Sequence, residues 1–160
     1  MRAVADVPIV DYPKSYRGLL WGGLIAGALD ISAAFVNSGL QGRGPILVLQ
    51  SIASGLLGSD SYRQGFVSAA LGLAVHFLIA FIAATVYYLL SRRFPVLIKK
   101  PLIMGPLYGI GVYLFMYLVV LRLVFPGRIP YSFGIVVTAL LIHMVCVGLS
   151  IALCVSRCSE

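Results

Sequence analysis

The stretch LLWGGLIAGALDISAAFV, residues Leu19 to Val36, decides the fold class of this protein. It is almost entirely apolar and carries a single ionisable side chain, Asp30. A run of about 20 such residues is what an α-helix needs to cross a bilayer. A carboxylate inside such a helix is costly to bury, so it is a candidate functional site by default. The stretch predicts a membrane-spanning helix with a polar centre at Asp30.

The composition of the whole chain extends this prediction to the entire protein. Of its 160 residues, 61% are hydrophobic and only 11% are charged, whereas charged residues make up about 25% of a soluble domain. We therefore expect a polytopic protein in contact with the lipid bilayer. The net charge of +7 comes from basic residues clustered at the ends of apolar runs, a pattern typical of topology signals. The sequence has no basic stripe with interleaved aromatic residues, so we expect no nucleic-acid partner.

The predicted fold is all-α: a polytopic transmembrane four-helix bundle with one short helix between the first two spans. The spans cover about residues 18–37, 64–90, 101–124 and 131–155. Residues 46–57 are apolar but too few to cross a bilayer, so we expect an interfacial or re-entrant helix that begins after Pro45. A single transmembrane domain, residues 17–156, lies between polar tails at 1–16 and 157–160.

Residues at the ends of the apolar runs indicate how the spans lie in the membrane. Tyr62 and Phe66 at one end of the second span, with Tyr87 and Tyr88 at the other, match the aromatic belts of a bilayer. Four spans put both termini on one side, which carries eight Lys and Arg residues against four on the other side. Under the positive-inside rule, both termini are cytoplasmic.

Small residues mark the faces on which the helices are expected to pack. Gly23, Gly27 and Asp30 share one face of the first span because they are three or four residues apart. Small residues at this spacing let helix backbones approach closely, which places Asp30 inside the bundle. We expect five glycines to be helix-packing positions: Gly23, Gly27, Gly72, Gly105 and Gly109.

A weak internal repeat relates the two halves of the chain. The motif Gly23-x-x-x-Gly27 in the first span corresponds to Gly105-x-x-x-Gly109 in the third, and a histidine follows each in the next span. The pattern fits two parallel hairpins related by an axis along the membrane normal. Because so few residues match, coincidence explains the pattern at least as well as a true repeat does.

Four polar residues on four spans are predicted to lie at similar depth. His76 and His143 are each roughly 18 Å from the outer ends of their helices, at about 1.5 Å per residue. Tyr113 is about as far from the cytoplasmic start of the third span, and Asp30 falls in the outer half of the first. We therefore expect a buried polar cluster of Asp30, His76, Tyr113 and His143 just outside the midplane.

Three hypotheses explain such a cluster. In the first, Asp30 pairs with a histidine and the network fixes helix register, because buried polar groups are usually satisfied. In the second, the cluster is a proton or ion pathway, because histidine titrates near neutral pH and carboxylates relay protons in membranes. In the third, His76 and His143 ligate haem b. Gln50 and Ser51 on the short helix are either a lid over this site or ordinary polar residues of an interfacial helix.

Several strings resemble a group of small bacterial four-span inner-membrane proteins of unknown function. They are GLIAGALD at 23–30, LQSIASGLLG at 49–58, LGLAVHF at 71–77 and YG at 108–109. The resemblance covers most of residues 18–155 and implies a protein of the bacterial cytoplasmic membrane. It implies no assigned activity, ligand or catalytic residue.

The leading functional hypothesis is a structural or accessory subunit of a membrane assembly, in a homo-oligomer or with other membrane proteins, because small-residue faces occur on several helices. The alternative is a small proton- or ion-coupled transporter. We expect neither catalytic residues nor a metal site, because the sequence shows no nucleophile–base pair and no metal-ligand set. The three cysteines, Cys146, Cys154 and Cys158, lack zinc-site spacing.

Overall fold

Four long apolar helices run through the structure. The computed structural model describes residues 16–125 and 132–159. In chain order its helices are α1 (Arg17–Gly39), α2 (Pro45–Leu57), α3 (Gly65–Arg93), α4 (Val96–Lys99), α5 (Pro101–Val124) and α6 (Phe133–Arg157). The helices α1, α3, α5 and α6 are long and apolar enough to cross a membrane. The prediction of a four-span, all-α membrane protein is confirmed.

The short helix predicted between the first two spans is also confirmed. Pro45 occupies the first turn of α2, where its missing N–H breaks no helical hydrogen bond. A 3₁₀ turn, Gly58–Arg63, then leads into α3. The carbonyl of Leu49 lies against Gly72, where it leaves no space for a side chain. Gly72 is about 10 Å along α3 from Gly65, so α2 packs on the side of the bundle.

The four long helices do not all pack closely on one another. The helix α1 packs on both α3 and α6, and α6 also packs on α5. The remaining neighbours, α3 and α5, are joined by side chains: Tyr108 on α5 donates a hydrogen bond of 2.7 Å to the carbonyl of Ala83 on α3. The Tyr87 and Tyr108 rings meet edge to face, with centroids 5.0 Å apart. The helices α3 and α5 are separated by a gap, and the side chains of Tyr87 and Tyr108 fill part of it.

Both ends of the described chain lie at one end of the bundle, which we call the termini end. A Cβ on Gly18 would lie 2.9 Å from the Cα of Val155, so α1 and α6 nearly touch there. The short helix α4 covers this end, where Ser156 donates a 2.8 Å hydrogen bond to the carbonyl of Ile98. The three largest fully buried side chains, Tyr87, Ile151 and Val155, lie in this half.

Six described basic residues lie at the termini end: Arg17, Arg92, Arg93, Lys99, Lys100 and Arg157. Three lie at the opposite end, which carries α2: Arg43, Arg63 and Arg122. The predicted N-terminal tail, apart from Tyr16, falls outside the described residues, as do Tyr131 at the predicted start of the fourth span and Glu160 at the chain end. The assignment of the termini end to the cytoplasm stays a prediction.

Two of the long helices contain π-helical segments. One covers Met116–Val120 in α5 and the other covers His143–Leu149 in α6. Such wide turns are rare and are frequently found at functional sites. The segment in α6 begins at His143, a predicted site residue, and lies where α6 packs against α5.

Candidate functional site

A cavity of about 920 Å³ lies between α3 and α5, in the half of the bundle that carries α2. Side chains from α1, α2, α3, α5 and α6 line it, and most of them are apolar, such as Ile79, Met116 and Val120. Its floor is made of the small residues Ala26 and Ala83. Cavities of about 300–1,000 Å³ with apolar walls and a few polar groups are typical of ligand sites.

Three of the four predicted site residues line this cavity. They are Asp30 on α1, His76 on α3 and His143 on α6, so three different spans each contribute one titratable side chain. Among residues 16–125 and 132–159, no three His, Cys, Asp or Glu side chains converge on a point that suits a metal ion. The three residues thus share one space without forming a metal site in the described part of the chain.

His76 joins α3 to α1. Its Nε2 atom lies 2.9 Å from the carbonyl oxygen of Gly27. A carbonyl only accepts hydrogen bonds, so Nε2 is the donor in this bond. Gly27 precedes Asp30 by less than one helical turn, so this bond fixes the imidazole close to the acid along the bundle. Haem ligation through Nε2 would require this hydrogen bond to break.

His143 is held differently, by its own helix and by a tyrosine. Its Nδ1 atom lies 2.8 Å from the carbonyl of Ala139, one turn earlier in α6. By the same reasoning Nδ1 is the donor in this bond. The ring also meets Tyr113 edge to face, with centroids 5.6 Å apart.

Asp30 is half-buried, and within the described residues it forms no hydrogen bond or ion pair. The carboxylate interacts electrostatically with the thiol of Cys146 on α6. Both histidines bond to backbone carbonyls rather than to this carboxylate. The network in which Asp30 pairs with a histidine is therefore absent between these described side chains.

Tyr113 lies beside the site without lining the cavity. It is buried, stacks on Tyr117 with centroids 5.6 Å apart, and contacts His143 with its ring. Depth along a helix says nothing about the side of the helix on which a residue lies. Counting residues therefore predicted the depth of Tyr113 in the bundle. It did not predict the rotation of α5, which turns Tyr113 away from the cavity.

The two polar residues predicted as a lid have separate positions on α2. Gln50 is buried, and its Nε2 donates a 3.1 Å hydrogen bond to the carbonyl of Gly65 and lies 3.5 Å from the hydroxyl of Ser68. Gln50 thus anchors α2 to α3. Ser51 lines the cavity and donates to the carbonyl of Val48 in its own helix.

The five predicted packing glycines all lie at contacts between helices. A Cβ on Gly23 or Gly27 would meet the ring of Phe81 or Phe77 on α3. Gly105 and Gly109 instead face the backbone of α6, and Gly72 faces the backbone of α2. Sequence reasoning missed Gly18 on α1, which faces the backbone of α6, and Gly148 on α6, whose Cβ would collide with Gly105 and Gly109.

A pair of tyrosines closes the cavity toward the termini end, and sequence reasoning missed it. Tyr108 bonds to the carbonyl of Ala83 at the cavity floor, and Tyr87 donates a 2.9 Å hydrogen bond to the carbonyl of Leu97. Tyr87 was expected in an aromatic belt, but its side chain is fully buried. Its place near the end of an apolar run is shared by belt and core tyrosines, so the sequence carries no signal that separates them.

Comparisons with known proteins return no relative: no protein-family model, curated protein or solved structure matches this chain. The resemblance to small bacterial membrane proteins thus leads to no identified family. What the fold establishes is a small four-span membrane protein in contact with the lipid bilayer.

Proposed function

We propose that this membrane protein is a small proton-coupled transport module whose working site is the cavity between α3 and α5. The observation that supports it is the convergence of Asp30, His76 and His143, from three spans, on one largely apolar space. Histidine titrates near neutral pH, and carboxylates relay protons inside membranes. An intramembrane cavity with these groups has the chemistry to accept a proton and to release it.

The hydrogen bonds of the two histidines support this role. Each ring donates from one nitrogen to a backbone carbonyl, so the other nitrogen is the place where a proton adds. The titratable groups that face Asp30 are His76 on α3, and His143 and Cys146 on α6. The described residues that α2 and α5 contribute to the cavity add one more, the phenol of Tyr62 in the turn after α2.

We place the protein outside the enzyme class. In residues 16–125 and 132–159 both histidines bond to backbone carbonyls, and neither is hydrogen-bonded to a serine hydroxyl or a cysteine thiol. An adjacent general base of this kind is a common way in which enzymes activate a nucleophile.

Proton flux in proteoliposomes tests the proposal. Purified protein is reconstituted with a pH-sensitive dye inside the vesicles, and a potassium diffusion potential drives proton entry. We expect flux above that of empty vesicles, and a fall of about tenfold or more in Asp30→Asn because the acidic proton site is removed. The matched control is Asp60→Asn, which removes the same charge from an exposed position in the 3₁₀ turn. Wild-type flux equal to that of empty vesicles, or full flux in Asp30→Asn, would overturn the proposal.

A second candidate is an accessory subunit, and the surface of α5 favours it. In its most apolar stretch α5 buries 11% of the residues, against 22% to 28% in the other three long helices. A Cβ on Gly111 of α5 would have no neighbour within 4 Å, so this small residue is unused inside the chain. By contrast, the five predicted packing glycines contact other helices of the same chain, so their small size is explained without a partner protein.

Disulfide cross-linking tests the accessory role. The three native cysteines are replaced by alanine, and Gly111→Cys is oxidised in native membranes. A covalent dimer or a cross-linked partner is expected if this face is an interface, with Leu102→Cys, on the opposite side of α5 and 70% exposed, as the control. Equal cross-linking at both positions would indicate random collision and would remove this candidate.

For the membrane and its orientation, we infer the bacterial cytoplasmic membrane with both termini in the cytoplasm. The support is the excess of basic residues at the termini end. A reporter that is active only in the cytoplasm, fused after Glu160, should be active. Activity of a periplasmic reporter at that position would contradict the orientation.

A further inference from the structure

We propose that the cavity between α3 and α5 binds a lipophilic organic monocation, with its charge against Asp30 and its apolar groups against the cavity walls. This inference deepens the proposed function, because it names the class of ligand. The binding itself requires no transport, so it is tested separately.

The charge of the cavity selects the sign of the ligand. Asp30 is the only acidic residue among the described residues that line the cavity, and no Lys or Arg lies among them. Each of the two histidines donates a hydrogen bond to a backbone carbonyl. Asp30 has no partner of its own in the described chain. A carboxylate in an apolar site is costly unless a proton neutralises it or a positive charge accompanies it, so a bound cation stabilises the ionised form of Asp30.

The walls select an organic cation over an inorganic ion. A small metal cation needs several oxygen ligands at short distance. The serine hydroxyls at the α2 wall, Ser51 and Ser54, donate to carbonyls of their own helix. The described residues also offer no converging set of three His, Cys, Asp or Glu ligands. A cation that carries its own apolar groups needs no such shell, because it is stabilised by contact with side chains such as Ile79 and Val120.

The carboxylate also argues against the other occupants of an apolar gap in a membrane. A lipid acyl chain or an apolar helix from a second copy would leave Asp30 against hydrocarbon without a counter-charge, at a high cost in free energy. The aromatic rings of Tyr62 and Phe125 line the cavity toward the α2 end. Aromatic faces attract cations, so these rings favour the same class of ligand.

Equilibrium dialysis of the purified protein in detergent, with radiolabelled tetraphenylphosphonium, tests this inference. The anion tetraphenylborate has nearly the same shape and the opposite charge, so it is the matched ligand control. We expect saturable binding of the cation, and only unsaturable partition of the anion into micelles. Asp30→Asn should weaken cation binding by about tenfold or more, which corresponds to about 1.4 kcal/mol, and Asp60→Asn should leave it unchanged. Saturable binding of both ions with equal affinity would overturn the proposal.

A second pair of variants locates the site even if Asp30→Asn fails to fold. Ile79→Trp adds bulk to the cavity wall and keeps the carboxylate, and it should weaken saturable binding. Leu78→Trp adds the same ring at the neighbouring position, which is 59% exposed and does not line the cavity, so binding should persist. Equal binding in both variants would place the ligand elsewhere and overturn the inference.

The outcome is separable from that of the proposed function. Proton flux that depends on Asp30, together with no saturable cation binding, would overturn the ligand class and leave the transport proposal standing. Cation binding that depends on Asp30, together with flux equal to that of empty vesicles, would support the ligand class and overturn the transport proposal.

Discussion

The hairpin of α1 and α3 and the hairpin of α5 and α6 carry the same short motif and pack in different ways. In the first, Gly23 and Gly27 lie under the rings of Phe81 and Phe77. In the second, Gly105 and Gly109 lie against the backbone of α6. The partner helix decides the difference, because α3 presents phenylalanines to the glycine face whereas α6 presents Gly148. A glycine pair predicts a contact, but the opposite face sets the distance between the two helices.

The two histidines also differ in whether their hydrogen bond joins two helices. His76 reaches across the first hairpin to the carbonyl of Gly27, whereas His143 bonds within α6 to Ala139. His76 therefore links two helices, whereas His143 contacts Tyr113, and both histidines line the cavity.

The largest expected effect on the free energy of unfolding comes from substitution of the glycines in the two hairpins. Gly109→Ala places a methyl group against the carbonyl of His143 and 2.6 Å from the Cα of Met144, with no flexible atom to yield. We expect a loss of about 3 kcal/mol in the free energy of unfolding, at the upper end for an overpacked site. Gly23→Ala meets only the Phe81 ring, which can turn, and should lose about 1 kcal/mol. Denaturation by SDS in mixed micelles measures both values.

Gly111→Ala is the control for these variants, because a Cβ there has no neighbour within 4 Å. Its free energy of unfolding should change by less than about 0.5 kcal/mol. Equal losses in Gly109→Ala and Gly23→Ala would show that the two hairpins pack with the same closeness.

A smaller effect on the free energy of unfolding is expected at Tyr108, which joins α5 of the second hairpin to α3 of the first. Tyr108→Phe removes the hydroxyl that donates to the carbonyl of Ala83 and keeps the ring contact with Tyr87. We expect a loss of about 1 kcal/mol in the free energy of unfolding, the usual net value of one hydrogen bond. Tyr88→Phe is matched to it, because Tyr88 is buried and makes no hydrogen bond through its hydroxyl to the described residues. A loss of the same size in Tyr88→Phe would contradict the role given to the Tyr108 hydroxyl.

The smallest effect separates the histidines. His76→Phe keeps an aromatic ring but breaks the link from α3 to α1, so we expect a loss of about 0.6 kcal/mol, typical of a hydrogen bond between membrane helices. His143→Phe keeps the ring contact with Tyr113 and breaks a bond within one helix. Its free energy of unfolding should change by less than about 0.5 kcal/mol. Thermal unfolding in detergent compares the two variants, and a larger loss in His143→Phe would reverse the assignment of roles.

Much of the fold could be predicted from the sequence, and less of the site. The four spans follow from runs of apolar residues, because a bilayer fixes the length of a helix that crosses it. The short helix follows from the dozen apolar residues after Pro45. Depth counting brought Asp30, His76 and His143 to one level, because the rise per residue of a helix is constant. It did not determine the rotation of each helix, and so it did not separate Tyr113 from the cavity.

The sequence by itself determined that this is a four-span membrane protein with an acid in its first helix, because hydrophobic length and the cost of a buried charge are properties of single segments. Only the tertiary structure decided that α3 and α5 stand apart, that Tyr87 and Tyr108 close the gap at one end, and that Asp30 shares the remaining space with two histidines. The physical reason is that a cavity is formed by the faces of several helices at once. The distances between those faces depend on which side chains meet across each contact, and residues far apart in the sequence supply them.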